Sequence, residues 1–352
     1  LLGHWKQRRL PDDRMVFPSS LREIRLYGPA PHEGALLRAT ARITAVQPGS
    51  VRGEVELRTG DGAVWARLEG WTYRRFAADE RVWPMKFTPE VCGIGEPQPG
   101  GWCLARRRWS DPASQELVMR RYLGAAERAV YEQRTPRTRS PWLLGRIAAK
   151  DALRQHLWEH GAGPVFPVEV TIGNDDRGRP RPGGPLTAGL QLSIAHKNRV
   201  AVALVHPSGP VGIDVETVTG DPAALNLIAL SAAERRLADE LAEGPRDRAR
   251  WLTAMWCAKE AAAKAEGSGL GGRPQQWSAT AATAASPGGG LLVASPEGRV
   301  HLVRTTTVHD LSGASGAGGE DGEDGAIHVV AWTTPRTTPA VTPTPREASH
   351  GI

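Results

Sequence analysis

The sequence predicts two kinds of structure in one chain, an antiparallel β-sheet followed by a mixed α/β domain. Over residues 15–76, apolar residues alternate with polar ones, which is the pattern of half-buried strands. From residue 102 onward, strand patterns alternate with segments that carry helix start and stop signals. Proline and glycine become frequent between these parts, and we place a linker at residues 89–101. The predicted domains are residues 1–88 and residues 102–336.

In the first part, turn chemistry connects the predicted strands. Glu23–Leu26 and Glu54–Leu57 both alternate in polarity. The second of these runs leads through Gly60-Asp61-Gly62 into Ala63–Phe76. An Asp-Gly pair between two strand patterns predicts a β-hairpin. We therefore expect an antiparallel sheet here, although the sequence shows no obvious complete partner for it.

The second part is predicted from strand runs and helix caps. Ser140 and Pro141 form a favourable N-cap and first-turn pair for a helix that ends before Gly161. The predicted strands are Trp102–Arg106, Leu192–Ile194, Val200–Val205, Val211–Glu216, Val300–Val308 and Ile327–Trp332, and the predicted helices cover about 112–133, 141–160, 231–242 and 246–265. The acidic, glycine-rich insert at 313–325 and the tail at 337–352 have compositions typical of disorder.

Composition restricts the possible partners. The 44 basic residues exceed the 38 acidic ones, and the resulting net charge of +6 favours an anionic partner such as a nucleic acid, a phosphorylated small molecule or an acidic protein. No apolar run is long enough for a membrane helix, and the first twenty residues contain no signal-peptide core. The three cysteines have no paired spacing, which argues against a disulfide framework or zinc site, so we expect a cytoplasmic protein.

Two carboxylates lie on one predicted strand, Gly212–Glu216. Because strand side chains alternate, Asp214 and Glu216 should point to one face, while Ile213 and Val215 enter the core. Adjacent carboxylates repel one another unless a cation or a proton intervenes, and magnesium prefers such oxygen ligands. The alternative interpretation is an edge strand with an acidic face in solvent.

A third carboxylate lies on the predicted helix within Trp256–Lys264. Glu260 and Lys264 are four residues apart and share a helix face. Taken alone, they could form a surface ion pair of small energetic value. Together with the strand carboxylates, however, they supply the parts that phosphoryl transfer needs: oxygen ligands, a proton acceptor and a positive charge.

These residues resemble the 4′-phosphopantetheinyl transferase family, of the larger, pseudo-dimeric type. The family pattern is a strand of the form Gly-hydrophobic-Asp-hydrophobic-Glu, followed some forty residues later by a helix of the form Trp-x-x-Lys-Glu-x-x-x-Lys. Five segments carry the likeness in order: Trp142–Arg146, Gly178–Pro180, Ser193–His196, Gly212–Glu216 and Trp256–Lys264, the last continued by Gly267–Leu270. Ala195 departs from the serine that many members have at that position.

The resemblance implies a fold, a reaction and a set of roles. It implies two pseudo-symmetric α/β halves, roughly 102–206 and 207–336, with coenzyme A between them. The reaction is magnesium-dependent transfer of phosphopantetheine from coenzyme A to a serine of an acyl carrier protein. The implied metal ligands are Asp214, Glu216 and Glu260, the implied catalytic residues are Glu260 and Lys264, and the implied coenzyme A ligands are Arg134, Arg137, Arg139, Arg179, His196 and Lys264. For the three arginines of the 134–139 turn, a solvated basic turn remains the alternative.

The first 88 residues resemble the C-terminal part of a polyketide synthase dehydratase, which has a hot-dog fold. Phe17-Pro18 to Pro29 and Val64–Gly70 carry this likeness. Because the dehydratase histidine belongs to the other half of that fold, we expect no dehydratase activity. The combination resembles the C-terminus of an enediyne-type iterative polyketide synthase, and the expected partner is an acyl carrier domain of the same synthase. The start at Leu1 suggests a fragment of a longer chain.

The sequence contains two further motifs and allows one alternative function. The His156–His160 run fits the His-x-x-Glu-His zinc pattern, but it lies at a helix end without a clear third ligand. The Gly267–Gly272 run fits a dinucleotide fingerprint, but it follows a helix instead of a strand. The alternative function is a non-catalytic module that docks carrier domains or coenzyme A, although such a module would not require Glu260 and Lys264.

Overall fold

The structure is a computed structural model with two compact units, residues 1–84 and residues 85–352. It describes residues 15–47, 50–76, 79–109, 112–219, 228–281, 290–310 and 325–335. Nearly all of the predicted disordered insert and all of the predicted tail lie outside these ranges. None of the helices in the described ranges is long and apolar enough to cross a membrane.

The first unit contains one antiparallel sheet. Its strands are β1 (Met15–Ser20), β2 (Glu23–Leu26), β3 (Arg38–Gln47), β4 (Ser50–Arg58) and β5 (Val64–Phe76). The order is β1-β5-β4-β3, and β2 also pairs with β5. The predicted Asp-Gly hairpin is confirmed, because β4 and β5 pair on either side of it. Val51 and Ala66 are buried, whereas most of β3 is exposed.

The second unit contains three sheets and five helices within the described residues. Its strands are β6 (Glu96–Gln98), β7 (Trp102–Arg106), β8 (Thr171–Asn174), β9 (Pro180–Gly183), β10 (Gln191–Lys197), β11 (Val200–His206), β12 (Gly212–Thr217), β13 (Ser278–Ala281), β14 (Leu291–Ala294), β15 (Val300–His309) and β16 (Ile327–Thr333). The sheet orders are β10-β11-β7-β6, β12-β16-β15-β14-β13 and β8-β9, and every pairing is antiparallel. All six strands predicted for this part are confirmed within one or two residues at most ends.

The helices are α1 (Pro112–Tyr122), α2 (Ala125–Glu132), α3 (Pro136–Glu159), α4 (Ala232–Leu241) and α5 (Pro245–Glu266). The single helix predicted over 112–133 is in fact two, because the chain leaves the helical path at Leu123-Gly124. The predicted start at Pro141 was wrong as well. Helix α3 begins at Pro136, and Pro141 lies inside it. Thr135 and Pro136 provide the N-cap and first-turn proline that the sequence interpretation assigned to Ser140 and Pro141. Inside the helix, Pro141 has no backbone N–H to donate to the preceding turn.

The segment predicted as a linker, residues 89–101, is part of the second unit. It contains β6, which pairs with β7, and the fully buried Ile94. The Gly95 amide donates a 2.8 Å hydrogen bond to the Asp151 carboxylate on α3. Glycine is frequent here because a side chain at residue 95 would collide with Cys103 and Asp151.

Helices α3 and α5 each pack on one of the two larger sheets, and this packing forms the core. Helix α5 is rich in alanine on its buried side, including Ala258, Ala261 and Ala262, which lets the helix lie close to the sheet. A second apolar cluster contains Ile213 and Val215 of β12.

A buried lysine ties α3 to its surroundings. Lys150, fully buried, donates to the Glu127 carboxylate at 2.5 Å, to the Tyr122 carbonyl at 2.6 Å and to the Pro167 carbonyl at 3.1 Å. The other oxygen of Glu127 accepts from the Ile172 amide. All three ammonium protons are therefore satisfied inside the protein, as a buried charge requires.

A second buried lysine makes the same kinds of bond in α5. Lys259, also fully buried, donates to the Glu234 carboxylate at 2.7 Å, to the Ala229 carbonyl at 3.0 Å and to the Pro274 carbonyl at 3.2 Å. The other oxygen of Glu234 accepts from the Ala279 amide. The two sets match partner for partner: Tyr122 corresponds to Ala229, Glu127 to Glu234 and Pro167 to Pro274. The two residues of each corresponding pair are separated by a nearly constant number of positions in the sequence.

Candidate active site

The carboxylates of β12 lie on the face of the strand that the alternation predicted. Asp214 and Glu216 point away from the apolar cluster that takes Ile213 and Val215. Strand β12 packs against α5, and Gly212 makes the approach possible, because a Cβ there would overlap the backbone carbonyl of Ala261. A glycine is therefore needed at residue 212 for steric reasons.

Helix α5 brings Lys264 to the strand. Its ammonium donates to Asp214 Oδ1 at 2.8 Å and to the backbone carbonyl of Ile213 at 3.1 Å. The sequence left open a surface ion pair between Lys264 and Glu260; the structure instead pairs Lys264 with the strand carboxylate. This contact brings the helix motif and the strand motif together, although about fifty residues separate them in the chain.

Glu260 lies one turn before Lys264 and feels the strand carboxylates. Burial raises the pKa of Glu260 above its usual value, and the negative charges of Asp214 and Glu216 raise it further, while Lys264 acts in the opposite direction. A carboxylate with a raised pKa is a better proton acceptor near neutral pH than an ordinary glutamate.

Glu216 pairs with a lysine that the sequence interpretation did not assign. Lys197, the last residue of β10, donates to Glu216 Oε1 at 2.6 Å. The other carboxylate oxygen, Oε2, is buried and has no hydrogen-bond partner among the described residues. Lys197 directly follows the Ser193–His196 motif and is one of only six lysines in a chain with 44 basic residues. The scarcity of lysine was the feature of the sequence that could have pointed to Lys197.

Lys259 and Glu260 are neighbours in the chain, but their side chains lie in different surroundings. Lys259 faces the interior, where it holds Glu234. Its charge is therefore committed to the fold, and burial lowers its pKa. Cys257 also faces inward, beneath Asp214 and Glu216, and burial raises the pKa of this thiol well above its usual value.

His196 lies near the same lysine and carboxylate. Loss of water around the ring lowers the pKa of His196, and the Lys264 ammonium and Arg134 guanidinium lower it further, while Asp214 opposes them. The structure therefore brings His196, Lys264 and Asp214 within electrostatic range of one another. Because its pKa is lowered, the His196 ring is favoured in its neutral form, so Lys264 and Arg134 supply the positive charge near it.

The three predicted arginines of the 134–139 turn differ in their availability. Arg134 stacks over the Trp142 ring at 4.9 Å, and its Nε is buried without a hydrogen-bond partner among the described residues. Arg139 is committed to the backbone, because it donates to the carbonyls of Arg134 and Glu132. Arg137 is exposed in the first turn of α3.

Arg179 lies next to Gly267, which ends α5. Its Nε donates to Asp175 Oδ2 at 3.0 Å. Gly267 has a φ of +72°, which favours glycine, and a Cβ there would displace the Arg179 guanidinium that lies against it. Arg179 and Lys264 line one cavity of about 370 Å³, together with Ser193 and Gly267.

The donor set fits a hard divalent cation in its chemistry. Asp214, Glu216 and Glu260 supply carboxylate oxygens, and the buried, unpartnered Oε2 of Glu216 is available to such an ion. Among the residues that the structure describes, however, no group of three or more His, Cys, Asp or Glu is gathered closely enough to hold a metal. Lysines contact two of the three carboxylates instead.

The zinc-like motif is not among the residues that line the cavity beside Arg179 and Lys264, whereas the nucleotide-like motif borders it with Gly267 and Gly269. His156 and His160 place their rings 4.1 Å apart at the end of α3. Gly267 ends α5 in the left-handed conformation typical of a helix C-terminus, and Gly269 and Gly272 also have positive φ in the turn that follows. These glycines serve helix termination rather than a strand-to-helix phosphate loop.

Comparison with known proteins gives one result for this region. A family model of the 4′-phosphopantetheinyl transferase superfamily matches residues 210–305, which include β12, α4 and α5. No curated protein matches the chain. The mixed α/β fold of the second unit, with its antiparallel sheets, is consistent with such a domain.

Proposed function

From the superfamily domain at residues 210–305, we propose that this chain transfers 4′-phosphopantetheine from coenzyme A to a serine of an acyl carrier protein. The observation that carries the proposal is the 2.8 Å bond between Lys264 and Asp214, which joins the helix turn of Glu260 to the strand of two carboxylates. The bond supports the proposal because it brings a lysine ammonium to the strand carboxylates, one helix turn from Glu260, and these are the kinds of group that phosphoryl transfer uses.

In the proposed reaction, the carrier serine Oγ attacks the β-phosphorus of coenzyme A. The new bond joins Oγ to that phosphorus, and the bond from phosphorus to the bridging oxygen breaks. The bridging oxygen leaves with adenosine 3′,5′-bisphosphate. Glu260 takes the serine proton, a role that its raised pKa suits. Lys264 offsets negative charge that develops at the pyrophosphate.

A magnesium ion would be held by Asp214, Glu216 and Glu260. When bound, such an ion neutralises phosphate oxygens and orients them for attack. The donor chemistry and the buried oxygen of Glu216 support this assignment.

Coenzyme A would occupy the cavity lined by Arg179 and Lys264. Its volume of about 370 Å³ accommodates part of a nucleotide rather than the whole cofactor. Arg179 and His196 would bind phosphates, as would the arginines of the 134–139 turn. Arg134 is the best placed of the three, because its Nε still lacks a hydrogen-bond acceptor among the described residues. Arg137 is the most exposed, and Arg139 reaches a ligand only if it gives up its backbone contacts.

The second unit is proposed to consist of two pseudo-symmetric halves. The matching bonds around Lys150 and Lys259 support this, as does a second detail. In each half the buried glutamate also accepts from the amide that caps its own helix, Gly124 in one case and Ser231 in the other.

The biological setting is proposed as a polyketide synthase. The antiparallel sheet of the first unit supports the likeness to a dehydratase fragment in strand content alone. The acceptor would then be a carrier domain of the same synthase, and the basic charge of the chain would favour capture of an acidic carrier.

The test is intact-protein mass spectrometry of an apo carrier protein incubated with the chain, coenzyme A and magnesium. The expected result is a mass gain of one phosphopantetheine that disappears with EDTA and with Glu260→Gln. Glu116→Gln on α1, which removes an exposed carboxylate of a surface ion pair, serves as the matched control and should retain the gain. Binding of coenzyme A without any gain on several carriers would favour the non-catalytic docking module.

A further inference from the structure

Lys197 is placed at Glu216 by more than its own side chain. The next residue, Asn198, has a φ of +52°, a left-handed conformation that the β10–β11 turn requires. Its Nδ2 donates to Thr217 Oγ1 at 3.0 Å. Successive residues of the turn thus contact successive residues of β12: Lys197 bonds Glu216, and Asn198 bonds Thr217.

The anchor extends into the protein. Thr217 Oγ1 is also 3.1 Å from Nδ1 of His328, which is fully buried on β16. A surface ion pair between two long, free side chains costs conformational entropy and contributes little. Here the backbone turn is held by a second bond, so the position from which the Lys197 side chain reaches Glu216 is fixed.

Within the described part of the chain, ammonium groups of two lysines therefore contact carboxylates of the proposed metal site. Lys264 contacts Asp214 at 2.8 Å and Lys197 contacts Glu216 at 2.6 Å. Lys264 has a part in the proposed reaction, whereas Lys197 has none so far. A divalent cation that binds Glu216 must compete with Lys197 or bind within its repulsive field.

We propose that Lys197 is a built-in competitor for the divalent cation at Glu216 and that it sets a weak metal affinity in the protein without coenzyme A. This inference rests on the proposed function, because it takes Glu216 as a metal ligand. Phosphate oxygens of coenzyme A would supply additional ligands and so compensate for the weak affinity of the protein alone. The cation and coenzyme A would therefore bind together rather than one after the other.

The variant that tests this is Lys197→Met, which keeps much of the side-chain length and removes the charge. The side chain is 42% exposed, so the protein should remain folded. Lys197→Arg keeps the charge. Arg120→Met is the matched control, because it removes one positive charge from an exposed ion pair on α1.

The measurement is calorimetric titration of Mn²⁺ into each protein without coenzyme A, repeated by electron paramagnetic resonance of free Mn²⁺. We expect Lys197→Met to bind Mn²⁺ roughly ten- to a hundredfold more tightly, the range for loss of one charged hydrogen bond that competes with the ion. Lys197→Arg and Arg120→Met should stay within about twofold of the parent protein.

Two results would overturn the inference, and they exclude different parts of the proposal. Equal or weaker Mn²⁺ affinity in Lys197→Met would remove the role of Lys197 and leave the proposed metal site standing. Absence of Mn²⁺ binding in every protein, with coenzyme A present as well as absent, would remove the metal site and the role of Lys197 together.

Discussion

The surroundings of Lys150 and Lys259 are alike, but the residues that follow these lysines are not. Each lysine is fully buried and bonds a glutamate and two carbonyls. After Lys150 comes Asp151, and after Lys259 comes Glu260.

Asp151 is saturated with partners. It accepts from the Gly95 amide at 2.8 Å, the Tyr122 hydroxyl at 2.7 Å and the Arg154 guanidinium at 2.8 Å. Burial raises the pKa of both carboxyl groups, but Asp214 and Glu216 raise that of Glu260 further, whereas Arg154 acts in the opposite direction on Asp151. The carboxylate that follows the buried lysine is thus held by three hydrogen bonds in α3 and lies beside two other carboxylates in α5. The comparison teaches that the buried lysine marks the scaffold, whereas the partners of the next carboxylate decide whether it can do chemistry.

The largest expected effect separates these two carboxylates. Glu260→Gln should lower the transfer rate roughly 10²- to 10⁴-fold, the usual contribution of a general base, and leave stability almost unchanged. Asp151→Asn should do the reverse. It leaves the buried Arg154 without its counter-ion and should cost about 3 kcal/mol of unfolding free energy. Transfer kinetics and urea unfolding of both variants check this. Equal losses of rate in the two variants would contradict the division of roles.

The next effect tests whether the lysines are equivalent. Lys150→Met and Lys259→Met each leave a buried glutamate without its cation, and each should destabilise the second unit by about 3–5 kcal/mol. Urea unfolding followed by tryptophan fluorescence measures both. A loss of unfolding free energy below about 1 kcal/mol for only one of the two lysines would show that the matching bonds contribute unequally to stability.

A smaller effect concerns the contact that places β12 on α5. Gly212→Ala puts a Cβ against the Ala261 carbonyl, and this overpacking should cost about 1–3 kcal/mol. Because β12 must move away from α5, the transfer rate should fall as well. Gly60→Ala, at a position with open space in the first unit, is the control and should change neither quantity. Unchanged kinetics in Gly212→Ala would mean that the strand position is not critical.

The smallest effect is a shift in the titration of Glu260 in the protein without a divalent cation. Burial and the charge of Asp214 raise the pKa of this carboxyl group, so it should take up a proton at a pH above the ordinary value of 4.5. Lys264→Met removes the charge that lowers this pKa and should move the titration to still higher pH. A ¹³C NMR titration of the Glu260 carboxyl carbon, with Glu260→Gln to assign the signal, measures the midpoint in both proteins. An unchanged midpoint in Lys264→Met would argue that Lys264 does not act on Glu260.

Local pattern was enough to predict much of the second unit. The alternation in Gly212–Glu216 predicted both the strand and the shared face of its carboxylates, and helix signals placed α5 to within a residue at each end. The short strands β8, β9, β13 and β14 were missed, because four residues are too few for a period to show.

Contacts between distant segments were beyond the reach of the sequence. Lys197 meets Glu216 because β10 and β12 come together, and no local pattern encodes that meeting. The same holds for Lys259, which looks like a surface residue of a charged helix until the structure shows Glu234 beside it.

The burial of two lysines has a consequence for chemical labelling. Most cations of this chain are arginines, which amine-directed reagents do not modify. Lys150 and Lys259 are sealed in the interior, whereas the Lys197 and Lys264 side chains are 42% and 30% exposed. An acylating probe applied to the folded protein should therefore label the site more readily than the interior lysines, and protection from it would report occupancy by an anionic ligand.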